Sequence, residues 1–194
     1  MHFPQSPQSF ELARKRLVFN ECFFVQFPYL LHKSRSDKQI VGCPWKIKEP
    51  LLMSYMASLP YELTMAQKNT FRDICKDVAS GKTLNRLIQG DVGSGKTDIA
   101  ILAMILAIQE GHKASFMVPT EVLAQQHALK LTERLSPFGI PVYLLKGKLN
   151  KREKESVLAA CKDPDQPLIV VGTHALIQSS VTIANLGLQI IDEQ

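Results

Sequence analysis

Eight residues constrain this chain more than any others: Gly90-Asp91-Val92-Gly93-Ser94-Gly95-Lys96-Thr97, preceded by Asn85-Arg86-Leu87-Ile88-Gln89 and followed by Asp98-Ile99-Ala100-Ile101-Leu102-Ala103-Met104-Ile105-Leu106. A short apolar stretch that predicts a strand, the pattern G-x-x-x-x-G-K-T, then a helical run is the setting a phosphate-binding loop requires. Glycines at 90, 93 and 95 let the backbone curl until successive N–H groups face one concavity free of Cβ atoms. Lys96 brings a mobile positive charge to the outer phosphates, Thr97 offers a hydroxyl to a metal ion, and the positive end of the helix points at the same spot. A glycine-rich turn that binds nothing would leave Lys96 and Thr97 without a purpose.

The 194 residues, 45% of them hydrophobic, suffice for one well-packed domain. An excess of 23 Lys and Arg over 18 Asp and Glu permits a polyanionic partner without demanding one. Cys22, Cys43, Cys75 and Cys161 are scattered, with no C-x-x-C pair or histidine cluster, so reduced thiols are expected in place of disulfides or a zinc site. Met1-His2-Phe3-Pro4-Gln5 has neither the basic start nor the apolar core of a secretory signal. The longest apolar run, Ile99 to Ile108, is too short to cross a bilayer, and no membrane partner is expected.

From Phe10 the apolar spacing predicts a long amphipathic helix up to about Pro28, with Arg14, Lys15 and Arg16 on its early turns; a packing helix with a solvated basic side suits this better than one that reads nucleic acid. Residues 33–50 read as an exposed loop, in which Trp45 either anchors the loop to the body or stacks on a base. A short helix over Leu51 to Leu59 is ended by Pro60. Thr64 and Gln67 fit a capping box at the start of the next helix, which runs to about Val78; the alternative is that the Gln67 amide reads the edge of an adenine ring.

After the glycine loop and its helix, Gly111 is a stop signal. Strands are predicted at 113–118, 141–145, 167–171 and 186–191, with helices from Pro119 to about Leu135 and from Asn150 to Cys161. Counting the stretch before the loop, five strands alternate with helices, which predicts a parallel sheet covered by helices on both faces. Ligands bind beyond the carboxyl ends of such strands, where Gly90 to Thr97, Pro119-Thr120-Glu121, Gly172-Thr173-His174 and Asp192-Glu193 all fall. An acidic pair in that position can hold hydrated magnesium with its first carboxylate and polarise an attacking water with its second; the plainer reading is an acidic turn.

The set Leu63-Thr64-x-x-Gln67, Leu87-Ile88-Gln89-Gly90-Asp91-Val92-Gly93-Ser94-Gly95-Lys96-Thr97, Val118-Pro119-Thr120-Glu121, Val171-Gly172-Thr173-His174-Ala175-Leu176-Ile177-Gln178 and Ile191-Asp192-Glu193-Gln194 resembles the first motor domain of superfamily-two DNA helicases. Within that group it is most similar to the RecG-type translocases of branched DNA in bacteria, and His2-Phe3-Pro4 with Ala13-Arg14-Lys15-Arg16-Leu17 resembles their segment between wedge domain and motor. The resemblance implies an α/β P-loop NTPase fold of RecA-like type, with residues 1–60 as a linker and helical segment and 61–194 as a partial ATP-binding domain.

It further implies that Gln67, Gly90, Asp91, Gly93, Ser94, Gly95, Lys96 and Thr97 bind ATP, that Thr97 and Asp192 hold Mg2+, and that Lys96, Asp192 and Glu193 carry out catalysis. Pro119, Thr120, Glu121, Gly172, Thr173 and His174 would lie along the DNA, meeting phosphates and leaving bases unread. The implied partner is DNA at forks and junctions, in repair and recombination; the protein would act as a monomer in the bacterial cytoplasm.

Asp98 departs from the apolar residue usual at this position, and a carboxylate beside the phosphate site is expected to weaken ATP binding unless it points away. In this superfamily a strand that follows the acidic motif lies between the glycine-loop strand and the acidic strand. An end at Gln194 is therefore expected to leave the sheet without a central strand, and to leave out the wedge domain and the second motor domain with its arginine finger. Two other readings stand beside this one: a related motor acting on transcription or replication complexes, and a non-catalytic fragment with weak nucleotide or DNA binding.

Overall fold

The computed structural model describes residues 6–39, 44–47, 49–81, 83–147 and 149–192, and only the backbone at 32, 33, 35–39 and 49. The chain divides into two compact units, one formed by residues 1–43 with 81–83 and the other by 44–80 with 84–194.

The first unit contains helix α1, Pro7–Gln39. Ser6 and Ser9 exchange side-chain and backbone hydrogen bonds at its start, and Pro7 occupies a first-turn position where its missing N–H costs nothing. The expected end at Pro28 is not observed, and residues 33–39, expected in a loop, are helical. Proline removes a single bond from the ladder, and the long runs on either side hold their own; the lost bond and ring clash cost about 3 kcal/mol in a helix interior. Phe19, Phe23 and Phe27, four residues apart, stack with ring centroids 5.7 and 5.2 Å apart.

The second unit is built on a four-stranded parallel sheet in the order β2-β3-β1-β4, where β1 is Lys113–Met117, β2 Val142–Leu145, β3 Ile169–Gly172 and β4 Leu186–Ile191. Five helices belong to it: α2 Glu49–Ser58, α3 Met65–Ala79, α4 Lys96–Gln109, α5 Glu121–Leu135 and α6 Lys151–Lys162. Strand β3 is buried along its length, and its side chains alternate between two cores: Ile169 and Val171 pack with residues of α4 and α5, while Val170 packs with Val157 and Cys161 of α6. Helices therefore cover both faces, as expected. Because α2 contributes Leu52 and Tyr55 to the larger core, the compact unit starts at residue 44 and includes it.

Helix α4 is apolar on every side because it packs against β1 and β4 and also against α2 and α3. Ile101, Leu102, Met104 and Ile105 are wholly buried, each worth about 1.5–3 kcal/mol on burial. This rigid helix fixes the loop that precedes it. Trp45 resolves as an anchor: its backbone N–H donates to the Val78 carbonyl, its ring sits 5.5 Å from the His112 ring, and it packs on the larger core. Lys113 is buried, and its ammonium donates to the Asp163 carbonyl at the carboxyl end of α6, where the helix dipole favours a cation. Burial holds the Cys161 thiol above its ordinary range, with Lys113 opposing, and burial likewise raises Cys75.

One expected element is missing. Residues 83–90 form no strand, so the described sheet has four strands where five were expected. A strand exists only through its partner, and here a cavity of about 390 Å3 separates Leu84 to Ile88 from Leu188 to Asp192. The cavity lies between the two segments that the resemblance separates by one strand. Residues 84–88 are held instead from the other side, where Arg86 donates twice to one oxygen of Asp77 on α3, at 2.6 and 2.9 Å.

Candidate functional site

Gly93 and Gly95 both adopt left-handed backbone, with φ of +79° and +80°. Gly95 is favoured twice over, by its left-handed backbone and because a Cβ there would lie 2.2 Å from the Gln67 amide nitrogen, which would have to move. Gly95 is also the N-cap of α4 and brings no side chain to cap it. Among the described residues no acceptor meets the N–H groups of Lys96 and Thr97, which leaves the positive end of a long buried helix facing outward over the loop. Unbonded donors at a helix start, beside a turn bent by two left-handed glycines, fit an anion of phosphate size.

Lys96 folds back across the loop, its ammonium donating to the carbonyls of Gly90 and Asp91 at 2.7 and 2.9 Å. Two of its three protons are thereby engaged, and the third is available to a phosphate oxygen. Ser94 N–H donates to the Asp91 carbonyl at 3.1 Å, closing the tip of the loop. Lys96, Thr97 and Asp192 all line the cavity that separates residues 84–88 from 188–192, with Asp192 just beyond the carboxyl end of β4. Thr97 and Asp192 offer oxygen donors, the type magnesium takes. Glu193, the expected second carboxylate, lies outside the described residues.

Gln67 completes a capping box with Thr64, as the spacing allowed: Thr64 N–H donates to Gln67 Oε1 at 2.7 Å, and Gln67 N–H to Thr64 Oγ1 at 3.3 Å. Its amide also donates from Nε2 to the Ser94 carbonyl at 2.9 Å, across to the glycine loop. The amide keeps one proton and one lone pair unused in these bonds, so capping and contact with a base edge are compatible.

Asp98 is almost fully buried, and its carboxylate is held by two side chains. Arg134 Nη1 donates to its Oδ1 at 2.5 Å and the Tyr61 hydroxyl to its Oδ2 at 2.9 Å. Burial works against the charge of Arg134, but its hydrogen bonds to Asp98 and Tyr61 outweigh that and raise its pKa above the ordinary value. The carboxylate that the sequence set beside the phosphate site is thus locally neutralised.

At the carboxyl ends of the neighbouring strands β1 and β3, Pro119-Thr120-Glu121 and Gly172-Thr173-His174 come together. Thr120 is the N-cap of α5 and accepts from Leu123 N–H at 3.3 Å; Glu121 accepts from Gly147 N–H at 3.1 Å. Pro119, Thr120 and His174 are exposed, Thr173 is half-buried, and Gly172 is buried in the sheet, its carbonyl accepting from Val118 N–H. A Cβ on Gly172 would meet the Leu145 carbonyl oxygen at 2.5 Å and the Leu176 side chain at 2.9 Å. Gly172→Ala should therefore lower stability by about 1–3 kcal/mol, read as a shift in the urea midpoint.

Three side chains near these motifs escaped the sequence reading: Tyr61, Arg134 and His127. His127 Nε2 sits 3.7 Å from Asp192 Oδ2, and its ring packs 5.0 Å from Phe116. Its signal was its place among Ala124, Ala128 and Leu131, the inward face of α5. Nothing local to Arg134 shows that it would meet Asp98, 36 residues away.

A family model for DEAD/DEAH box helicases matches residues 63–194. An ATP-dependent DNA helicase RecG from Thermotoga maritima is 44% identical over 194 residues, all of this chain and 25% of that protein. The RecG of Synechocystis sp. is 40% identical over the same length, 23% of its own. A solved structure of RecG bound to a three-way DNA junction superposes with a TM-score of 0.89 and 43% identity, over 99% of this chain and 26% of that one. The chain thus spans about a quarter of the length of these relatives.

Proposed function

The chain belongs to the DEAD/DEAH box helicase family, and we propose that it forms the ATP-binding part of a motor that remodels branched DNA. The observation that carries this is the loop of residues 90–97, bent by left-handed glycines at 93 and 95, with the Lys96 ammonium folded across it and the uncapped start of α4 beside it. Its specific form, a RecG-like motor acting at forks and junctions, is supported by the likeness to RecG over the whole chain and by the solved RecG–junction complex; that it acts as a monomer is part of the same proposal.

In this reading Lys96 leaves one or both of its loop carbonyls to meet an outer phosphate, while the N–H groups of Lys96 and Thr97 meet its neighbour. Asp192 and Thr97 would hold magnesium, which when bound neutralises charge on the phosphates. Glu193 would take the proton of the attacking water. Exposed Thr120 and His174 offer polar groups of the kind that meet a phosphate backbone, which carries no sequence information, and Pro119, Glu121, Gly172 and Thr173 would lie along the same path. Gln67 would read adenine with the proton and lone pair left over from its capping bonds.

Titration of the chain with Mg-ATP and Mg-GTP by calorimetry tests the nucleotide reading. We expect a preference for ATP that Gln67→Ala removes, weakening ATP by about tenfold, the size of one lost hydrogen bond to a base edge. Equal weakening of both nucleotides would leave Gln67 a capping residue alone. For the motor reading, DNA junctions should stimulate ATP turnover by a longer protein that contains these residues; turnover indifferent to DNA would overturn it.

A further inference from the structure

Tyr61, Asp98 and Arg134 join three segments that the proposed function uses separately. Tyr61 begins the turn that leads to Gln67, Asp98 stands in the first turn of α4 directly after the glycine loop, and Arg134 closes α5, whose opposite end carries Thr120. Arg134 Nη2 also approaches the Tyr61 hydroxyl at 3.4 Å, so each of the three touches the other two.

The turn from Tyr61 to Ala66 lies largely on the surface; Leu63 alone is buried there. Its ion pair, Glu62 with Lys68 at 3.6 Å, is local and solvent-exposed and does not reach the glycine loop. Two hydrogen bonds cross to the loop and its helix: Gln67 Nε2 to the Ser94 carbonyl and Tyr61 hydroxyl to Asp98. The first belongs to the residue that would itself read the base. The second is independent of Gln67, and its acceptor is immobilised by a buried charge pair.

We propose that the Tyr61–Asp98–Arg134 cluster is a latch that positions the Gln67 turn against the phosphate loop, making Tyr61 and Asp98 positioning residues for nucleotide selection. Hydrogen-bond discrimination between bases depends on placing the amide to within a few tenths of an ångström, whereas phosphate binding draws on many donors and tolerates a looser turn. Loss of the latch should accordingly affect the base contact and spare the phosphate contacts. The inference rests on the reading of residues 90–97 as an adenine-nucleotide site and adds to it the groups that set the register of the base.

The test is calorimetric titration of the 194-residue chain and its variants with Mg-ATP and Mg-GTP, alongside thermal melting. Tyr61→Phe deletes the hydroxyl and keeps the ring; ATP affinity should fall about three- to tenfold with GTP affinity unchanged, as for one hydrogen bond of about 1 kcal/mol. Asp98→Ala should reduce the ATP-to-GTP ratio to the same extent, and Tyr61→Phe combined with Gln67→Ala should show the ratio of Gln67→Ala alone. Equal weakening of both nucleotides, or a ratio unchanged by Tyr61→Phe, would overturn the latch. Should Asp98→Ala fail to melt cooperatively, the milder Tyr61→Phe decides alone. If the unmodified chain binds neither nucleotide, the site reading and the latch fall together; if it binds ATP, loses it on Lys96→Ala, and keeps its ratio in Tyr61→Phe, the latch alone fails.

Discussion

Gly95→Val should abolish Mg-ATP binding, weakening it at least a hundredfold, and should lower the melting temperature as well. The backbone at this residue has φ of +80°, where a branched side chain costs more than the roughly 1–2 kcal/mol borne by an ordinary L-residue. The added Cβ would lie 2.2 Å from Gln67 Nε2 and 3.1 Å from Asp98 Oδ2. Neither neighbour yields easily, since Gln67 is tied to Thr64 and Ser94, and Asp98 to Tyr61 and Arg134. The loop must open, and the N–H groups of Lys96 and Thr97 lose their common focus. Gly93→Ala supplies the contrast: its φ is +79°, but a Cβ there meets nothing within 4 Å. That change carries backbone strain alone, about 1 kcal/mol, and should weaken ATP no more than about tenfold. Calorimetric titration of both variants measures the difference. Were Gly95→Val to bind ATP within threefold of the parent, the phosphates would have to sit elsewhere.

The glycine loop, Thr64 with Gln67, and the strand-helix alternation were legible because each is a local signal: a backbone that needs glycine, a cap three residues from its partner, an apolar run between turn formers. What was not legible depends on partners distant in the chain. Residues 85–89 have the composition of a strand, yet form none, because among the described residues a cavity and not a strand lies between them and β4. Pro28 reads as a helix end, because the rule weighs one lost bond and not the long ladders on either side. Asp98 read as a threat to the phosphate site, since the sequence shows the charge and not the guanidinium that answers it. The capping-or-adenine choice for Gln67 dissolved for a different reason: an amide has four hydrogen-bonding positions, and the cap with the Ser94 contact uses two.

The buried end of that charge pair gives the other large effect, this time on stability. Arg134→Leu should cost about 3 kcal/mol, the low end of what removing one partner of a buried pair costs, because Asp98 is left with Tyr61 as its sole remaining partner among the described bonds while its side chain is 5% exposed. The low end applies because the Arg134 side chain is 38% exposed, so water reaches part of the site and weakens the pair it formed. The reverse deletion is milder. Asp98→Val removes the buried acid and leaves a guanidinium that can hydrate, at a cost of about 1 kcal/mol. The double change, Asp98→Val with Arg134→Leu, should recover most of the loss, because a buried ion pair exchanged for well-packed apolar groups is close to neutral. Urea unfolding of the three variants reads this order directly from their midpoints. If Asp98→Val proved costlier than Arg134→Leu, the burden of burial would lie on the guanidinium, and the acid would be its counterion in place of the group that needs one.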